Sequence, residues 1–127
     1  HHSFDIDHEG TDSFRHRKAG AKEVLLASRK RWALIHELID EPEKDFDFLV
    51  NSISPTDLIL VEGFKEERYN KIEVIRAENK KIPIYQSDNG ILAIVSDYKI
   101  SDISLPIFNL DEISRIADFI LKKTSLK

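Results

Sequence analysis

An α/β domain with helices layered on both faces of a largely buried sheet is the fold class this sequence predicts, and three observations carry it. Leu58 to Val61 is an unbroken apolar run, which suits a strand covered on both faces. Phe46, Leu49, Val50 and Ile53, and again Ile113, Ile116, Ala117, Ile120 and Leu121, recur at helical spacing. These helical stripes alternate along the chain with strand-like runs, the pattern of a three-layer arrangement.

Taken in order, Asp12 to Ala21 lacks proline and predicts a short helix, with Thr11 or Asp12 placed to cap its first N–H groups and Gly20 near its end. Val24 to Ser28 and Trp32 to Leu38 are apolar runs parted by Arg29-Lys30-Arg31, which predicts an inserted β-hairpin with a basic turn. Asp45 to Ile53 predicts an amphipathic helix ended ahead of Pro55. Asp57 to Lys65 contains the buried strand, and Lys71 to Arg76 and Ile91 to Asp97 predict two more. Asp111 to Lys123 predicts a closing helix, acidic first and basic last as the helix dipole favours.

With 127 residues, 1–127 is expected to form a single domain with its own core. The net charge of -4 argues against a nucleic-acid partner. No apolar run approaches the roughly 18 residues of a membrane span, so no membrane partner and a soluble, cytoplasmic protein are expected. Cysteine is absent, which excludes disulfides, thiolate catalysis and cysteine-ligated zinc; methionine is absent as well.

The candidate chemistry gathers at a few places. Glu62 closes the apolar strand and Gly63 turns the chain, so a carboxylate lies at a strand's carboxyl end, where open α/β sheets bind ligands and where an acid can hold a Mg²⁺-bound water. An ordinary acidic strand end fits the same residues. Lys65 either meets a phosphate or is solvated. Asp5 and Asp7 fall on one side of an extended stretch and form a hard-oxygen pair suited to Mg²⁺; zinc held by His1, His2, Asp5, Asp7 and His8 matches no common spacing. Arg15, His16, Arg17 and Lys18 give the first helix a cationic face, solvated or set against an anionic phosphate. Asp97, after Ile91 to Val95, could accept hydrogen bonds from the N1–H and 2-amino group of a guanine.

The opening HHSFDID with GTDSFRHRKAGA, then ASRKRWAL, DLILVEGFK with KIEVIR, and VSD resembles, in order and over nearly the whole chain, the MobB family of molybdopterin-guanine dinucleotide biosynthesis adapters. The resemblance implies a P-loop NTPase-like sheet that binds GTP with Mg²⁺ and hydrolyses it weakly at most. It also implies a homodimer working beside the molybdenum cofactor guanylyltransferase, with molybdopterin as a further candidate partner. Carried over by position, Glu62 becomes the catalytic acid and, with Asp5 and Asp7, a metal ligand. Asp12, Ser13, Arg17, Lys18, Gly63, Lys65 and Asp97 become nucleotide-binding residues.

The family's leading strand, glycine-rich G-x-x-x-x-G-K-[ST] loop and helix have no counterpart in this sequence, and Glu9 and Thr11 stand where the family has a proline and a basic residue. The resemblance therefore implies an N-terminally incomplete P-loop domain with a crippled phosphate cradle. An alternative of a different class follows from that departure: a non-catalytic dimerisation and interaction module, using the hairpin to hold cofactor-maturation partners.

Overall fold

The structure, a computed structural model, describes residues 6–126. The chain divides into two compact units, His1–Ser52 and Ile53–Lys127. In the first, helix α1 (Asp12–Lys18) begins where the Thr11 side chain accepts from the Phe14 N–H, and the chain leaves it through Gly20, whose φ of 96° favours glycine. Strands β1 (Glu23–Ala27) and β2 (Trp32–His36) pair antiparallel from Glu23 opposite His36 to Ala27 opposite Trp32. This is the expected hairpin. Its turn is held by Ser28, whose N–H donates to the Arg31 carbonyl at 2.9 Å and whose Oγ accepts from the Lys30 and Arg31 N–H groups. Helix α2 (Phe46–Asn51) is shorter than its sequence stripe and is capped by Asp45, whose Oδ1 accepts from the Phe48 N–H at 2.7 Å.

The second unit is a three-stranded parallel sheet in the order β3 (Lys71–Ile75), β4 (Ile91–Ser96), β5 (Ile107–Asn109), followed by helix α3 (Ile113–Lys123). β4 is central and the most buried strand, with Ile94 fully enclosed. The β3–β4 register shifts between Lys71, opposite Ile91, and Ile72, opposite Ala93. Leu92 is therefore extra, and Ile91 and Ile94, three residues apart, join the same cluster.

That cluster includes Ile75 and is covered by loop residues Ile84, Tyr85, Ile100, Ile103 and Leu105. On the other, Ala93, Val95 and Phe108 pack under Ile116 and Phe119 of α3. Within this unit one layer is thus a helix and the opposite one is built from loops. The connection over that face is anchored by Glu73 of β3, whose two carboxylate oxygens accept from the Ile84 and Tyr85 N–H groups at 2.7 and 2.8 Å.

Two expectations are corrected. Leu58 to Val61 forms no strand: Leu60 is 76% and Val61 46% exposed. An apolar run is buried as a central strand only where neighbours hydrogen-bond along its edges and layers cover its faces, and no described strand pairs with this one. The inward stripe of α3 is also rotated. Phe119 joins Ile116 against the sheet, while Ile113 is 68% exposed.

Candidate functional site

In the first unit, α1 brings Ser13 and Arg17 onto one side, four residues apart and facing the segment that precedes it. Arg17 brackets Asp7: its Nε donates to Oδ1 and Oδ2 at 3.2 and 3.1 Å, and its Nη2 to Oδ1 at 2.6 Å. Its Nη1 donates to Glu37 Oε1 at 3.0 Å. The Asp7 side chain is only 4% exposed and that of Arg17 12%. The hydrogen bonds from Arg17 hold the Asp7 carboxyl below its ordinary range, and Asp7, then Glu37, push the Arg17 guanidinium further above its own. Ser13, itself buried, shares a hydrogen bond with the Thr11 hydroxyl at 3.1 Å and adds a little to the lowering at Asp7. Asp12 points outward beside Arg15 at 3.8 Å, and Lys18 rests over the Phe14 ring at 5.4 Å. Of the residues expected around a phosphate, Ser13 and Arg17 therefore converge on Asp7, and Asp12 and Lys18 do not. Asp5 lies outside the described residues.

Glu62, Gly63 and Lys65 belong to the second unit and sit exposed in a connecting loop, and they close no strand because the preceding run is not one. The turn itself is as expected, with Gly63 at φ 86° and Phe64 at 48°. Among the described residues no group of three His, Asp or Glu side chains is gathered to hold a metal ion. Both Asp7 oxygens are taken by Arg17. In this arrangement Asp7 serves Arg17, and Glu62 lies in the other compact unit.

Asp97 stands where the sequence puts it, directly after β4. Its Oδ1 accepts the Ala77 N–H at 2.9 Å, tying the end of β4 to the 3₁₀ turn Ala77–Asn79 that follows β3. A carboxylate has about four acceptor positions, so this bond leaves capacity for a ligand. A cleft of about 260 Å³ opens there, lined by Ser96, Asp97, Tyr98, Lys99, Phe108 and Asn109 among others. It occupies the carboxyl ends of parallel strands, the usual ligand position in open α/β sheets. A larger hollow of about 600 Å³, walled by Tyr85, Asp88, Asn89, Asp102 and Ser104 among others, lies at the opposite, amino end.

Two features went unread in the sequence. Glu37, the second carboxylate on Arg17, continues the half-buried row Ala33, Ile35, Glu37 of the hairpin. An acid in an otherwise apolar inward row was the available signal. His36 faces Glu23 Oε1 through Nδ1 at 2.8 Å and Glu41 Oε2 through Nε2 at 3.3 Å, while Lys22 and Lys44 also pair with Glu41.

A parallel sheet with a cleft at its carboxyl ends, joined in one chain to a helix-backed antiparallel hairpin, defines a mixed α/β protein, and its match to a solved structure puts it in the P-loop NTPase-like class. The chain belongs to the MobB family: the family described as "Molybdopterin guanine dinucleotide synthesis protein B" matches residues 1–97. It is 37% identical over 125 residues to the molybdopterin-guanine dinucleotide biosynthesis adapter protein of Escherichia coli (strain K12), covering 96% of this chain and 71% of that one. With the protein of the same name from Haemophilus influenzae it shares 38% over 120 residues, 94% of this chain and 66% of that one. A crystal structure of molybdopterin-guanine biosynthesis protein B aligns with a TM-score of 0.69 at 29% identity, over 90% of this chain and 74% of that one.

Proposed function

We propose that this chain is an adapter in molybdopterin-guanine dinucleotide biosynthesis, acting in the cytoplasm beside the guanylyltransferase and binding GTP, with binding and not turnover as its main activity. The names of its relatives support the adapter role. The observation that carries the nucleotide reading is the cleft at the carboxyl ends of β4 and β5 with the Asp97 carboxylate on its wall. Asp97 would accept from the N1–H and 2-amino group of guanine, donors that adenine does not present in that pattern, while Tyr98 and Phe108 supply apolar surface for the base. Magnesium would enter with the nucleotide's phosphates.

Titration calorimetry tests the assignment. GTP should bind more tightly than ATP, and Asp97→Asn should cut the preference roughly tenfold, the loss of one charge-assisted hydrogen bond. Equal affinity for the two nucleotides in the wild type would remove the guanine assignment. For Glu62, the expected result of Glu62→Gln is slower GTP hydrolysis with binding retained; equal turnover would take Glu62 out of the reaction.

A second reading, a non-catalytic homodimerisation module, draws support from the hairpin. Leu25, Trp32 and Leu34 are 66%, 71% and 51% exposed, and among the described residues each strand of this two-stranded sheet has an unpaired edge. Edge-to-edge pairing with a second copy would satisfy those backbone groups. Sedimentation equilibrium should then report twice the monomer mass; a monomer at all concentrations would sink this reading.

A further inference from the structure

Helix α1, the hairpin and the connector to α2 use their cations unevenly. Arg15, Arg17, Lys22 and Lys44 each have a carboxylate partner, and Lys18 sits over an aromatic ring. Arg29, Lys30 and Arg31 have no carboxylate partner among the described residues, although they are consecutive and the chain carries a net charge of -4. Their backbone is not loose. The Ser28 N–H and Oγ both donate to the Arg31 carbonyl, at 2.9 and 3.1 Å, and Ser28 Oγ accepts from the N–H groups of Lys30 and Arg31 at 3.3 and 3.2 Å. The three charges are thus presented on a turn whose conformation is already set, which lowers the entropy cost of engaging them. Trp32 follows immediately and is 71% exposed, and Leu34 and Leu25, opposite each other in the ladder, continue the same face.

We propose that this hairpin tip, Arg29-Lys30-Arg31 with Trp32 as its apolar anchor, is the docking element for an acidic surface on a partner protein. Exposed Trp and Arg are the residues that most often carry interface energy, and unpaired cations beside them steer an acidic partner into register. A free phosphate would be held by a concave set of donors; a projecting turn that merges into an apolar face suits a protein surface instead. The net negative charge of the chain disfavours a nucleic acid.

The proposal rests on the adapter reading, and the test separates the two. Binding of the purified guanylyltransferase would be followed by stopped-flow mixing with the wild-type chain, with Arg29→Glu/Lys30→Glu/Arg31→Glu, and with Arg29→Lys/Arg31→Lys. Because all three side chains project from a turn held by Ser28 and backbone bonds, the charge-reversed chain should keep its circular dichroism spectrum. The expected result is association at least roughly tenfold slower for the reversed tip, near wild-type rates for the lysine tip, and a steep fall of the wild-type rate with added salt. Binding unchanged by reversal would overturn the tip proposal and leave the adapter reading standing. Failure of the wild type to bind the enzyme would overturn both. Wild-type binding to a duplex oligonucleotide that is lost on reversal would reassign the tip to nucleic acid and overturn the proposal.

Discussion

His36 faces a carboxylate with each of its ring nitrogens, an arrangement a neutral imidazole satisfies only once, since just one of its nitrogens then carries a proton. The Glu23 hydrogen bond, and secondarily Glu41, accordingly raise its pKa above the ordinary 6.5. Because the folded chain then binds this proton more tightly than the unfolded one, the stabilisation is fully present below about pH 6.5 and is lost as pH rises through the raised folded value. Glu41 has the opposite sign. Lys22, then Lys44, hold it down to about 2 from 4.5, so its contribution is present above pH 4.5 and disappears as pH falls towards 2. Urea midpoints should therefore be highest between those limits, and His36→Gln should flatten the alkaline limb while leaving the acid limb in place. An unchanged alkaline limb in His36→Gln would show that His36 is neutral in the folded chain. At Arg17, replacement by Lys removes the fork that meets Asp7 and Glu37 together, so Arg17→Lys should lower the melting temperature although the charge is kept.

Sequence periodicity was most legible where an element's partners lie close by in the chain. The hairpin could be read because both strands and their turn fall within one short segment, and β4 because its run is apolar enough to be central in any sheet. Leu58 to Val61 shows the limit, since apolar content states what a segment can bury and not whether neighbours are present to bury it. The rotated stripe of α3 has a similar origin: Phe119 wins its inward place by meeting Phe108 at a ring-centroid distance of 5.5 Å, a tertiary contact that helical spacing does not encode. Site residues divide in the same way. Asp97 is legible as a polar residue ending an apolar strand, but the capture of Asp7 by Arg17 is not, because an acid and a base ten residues apart carry no sign in the sequence that they pair with each other. Two stability measurements address elements directly. Ile94→Ala should cost roughly 2–5 kcal/mol in chemical denaturation, since the side chain is fully enclosed in the cluster it forms with Ile75 and Ile91. Asp45→Ala, which uncaps α2, should cost about 1 kcal/mol.

For the whole molecule, the two compact units differ in how their strands find each other. β1 and β2 are joined by one short turn, whereas β3 and β4 pair in parallel only after the chain from Arg76 to Gly90 has crossed back to the sheet's amino end, where the Lys71 N–H bonds the Gly90 carbonyl at 2.8 Å. Hydrogen exchange should accordingly be slowest at the amides of β4, which lies between two partners, and faster along the hairpin; equal protection in both would contradict a sheet centred on β4. The same contrast orders events in time. A hairpin closes in about 1–10 μs, while parallel pairing across a crossover is among the slower steps of folding. The hairpin also precedes the parallel sheet along the chain, so during synthesis its basic tip and Trp32 emerge, with all they need to pair, before the strands of that sheet have all left the ribosome.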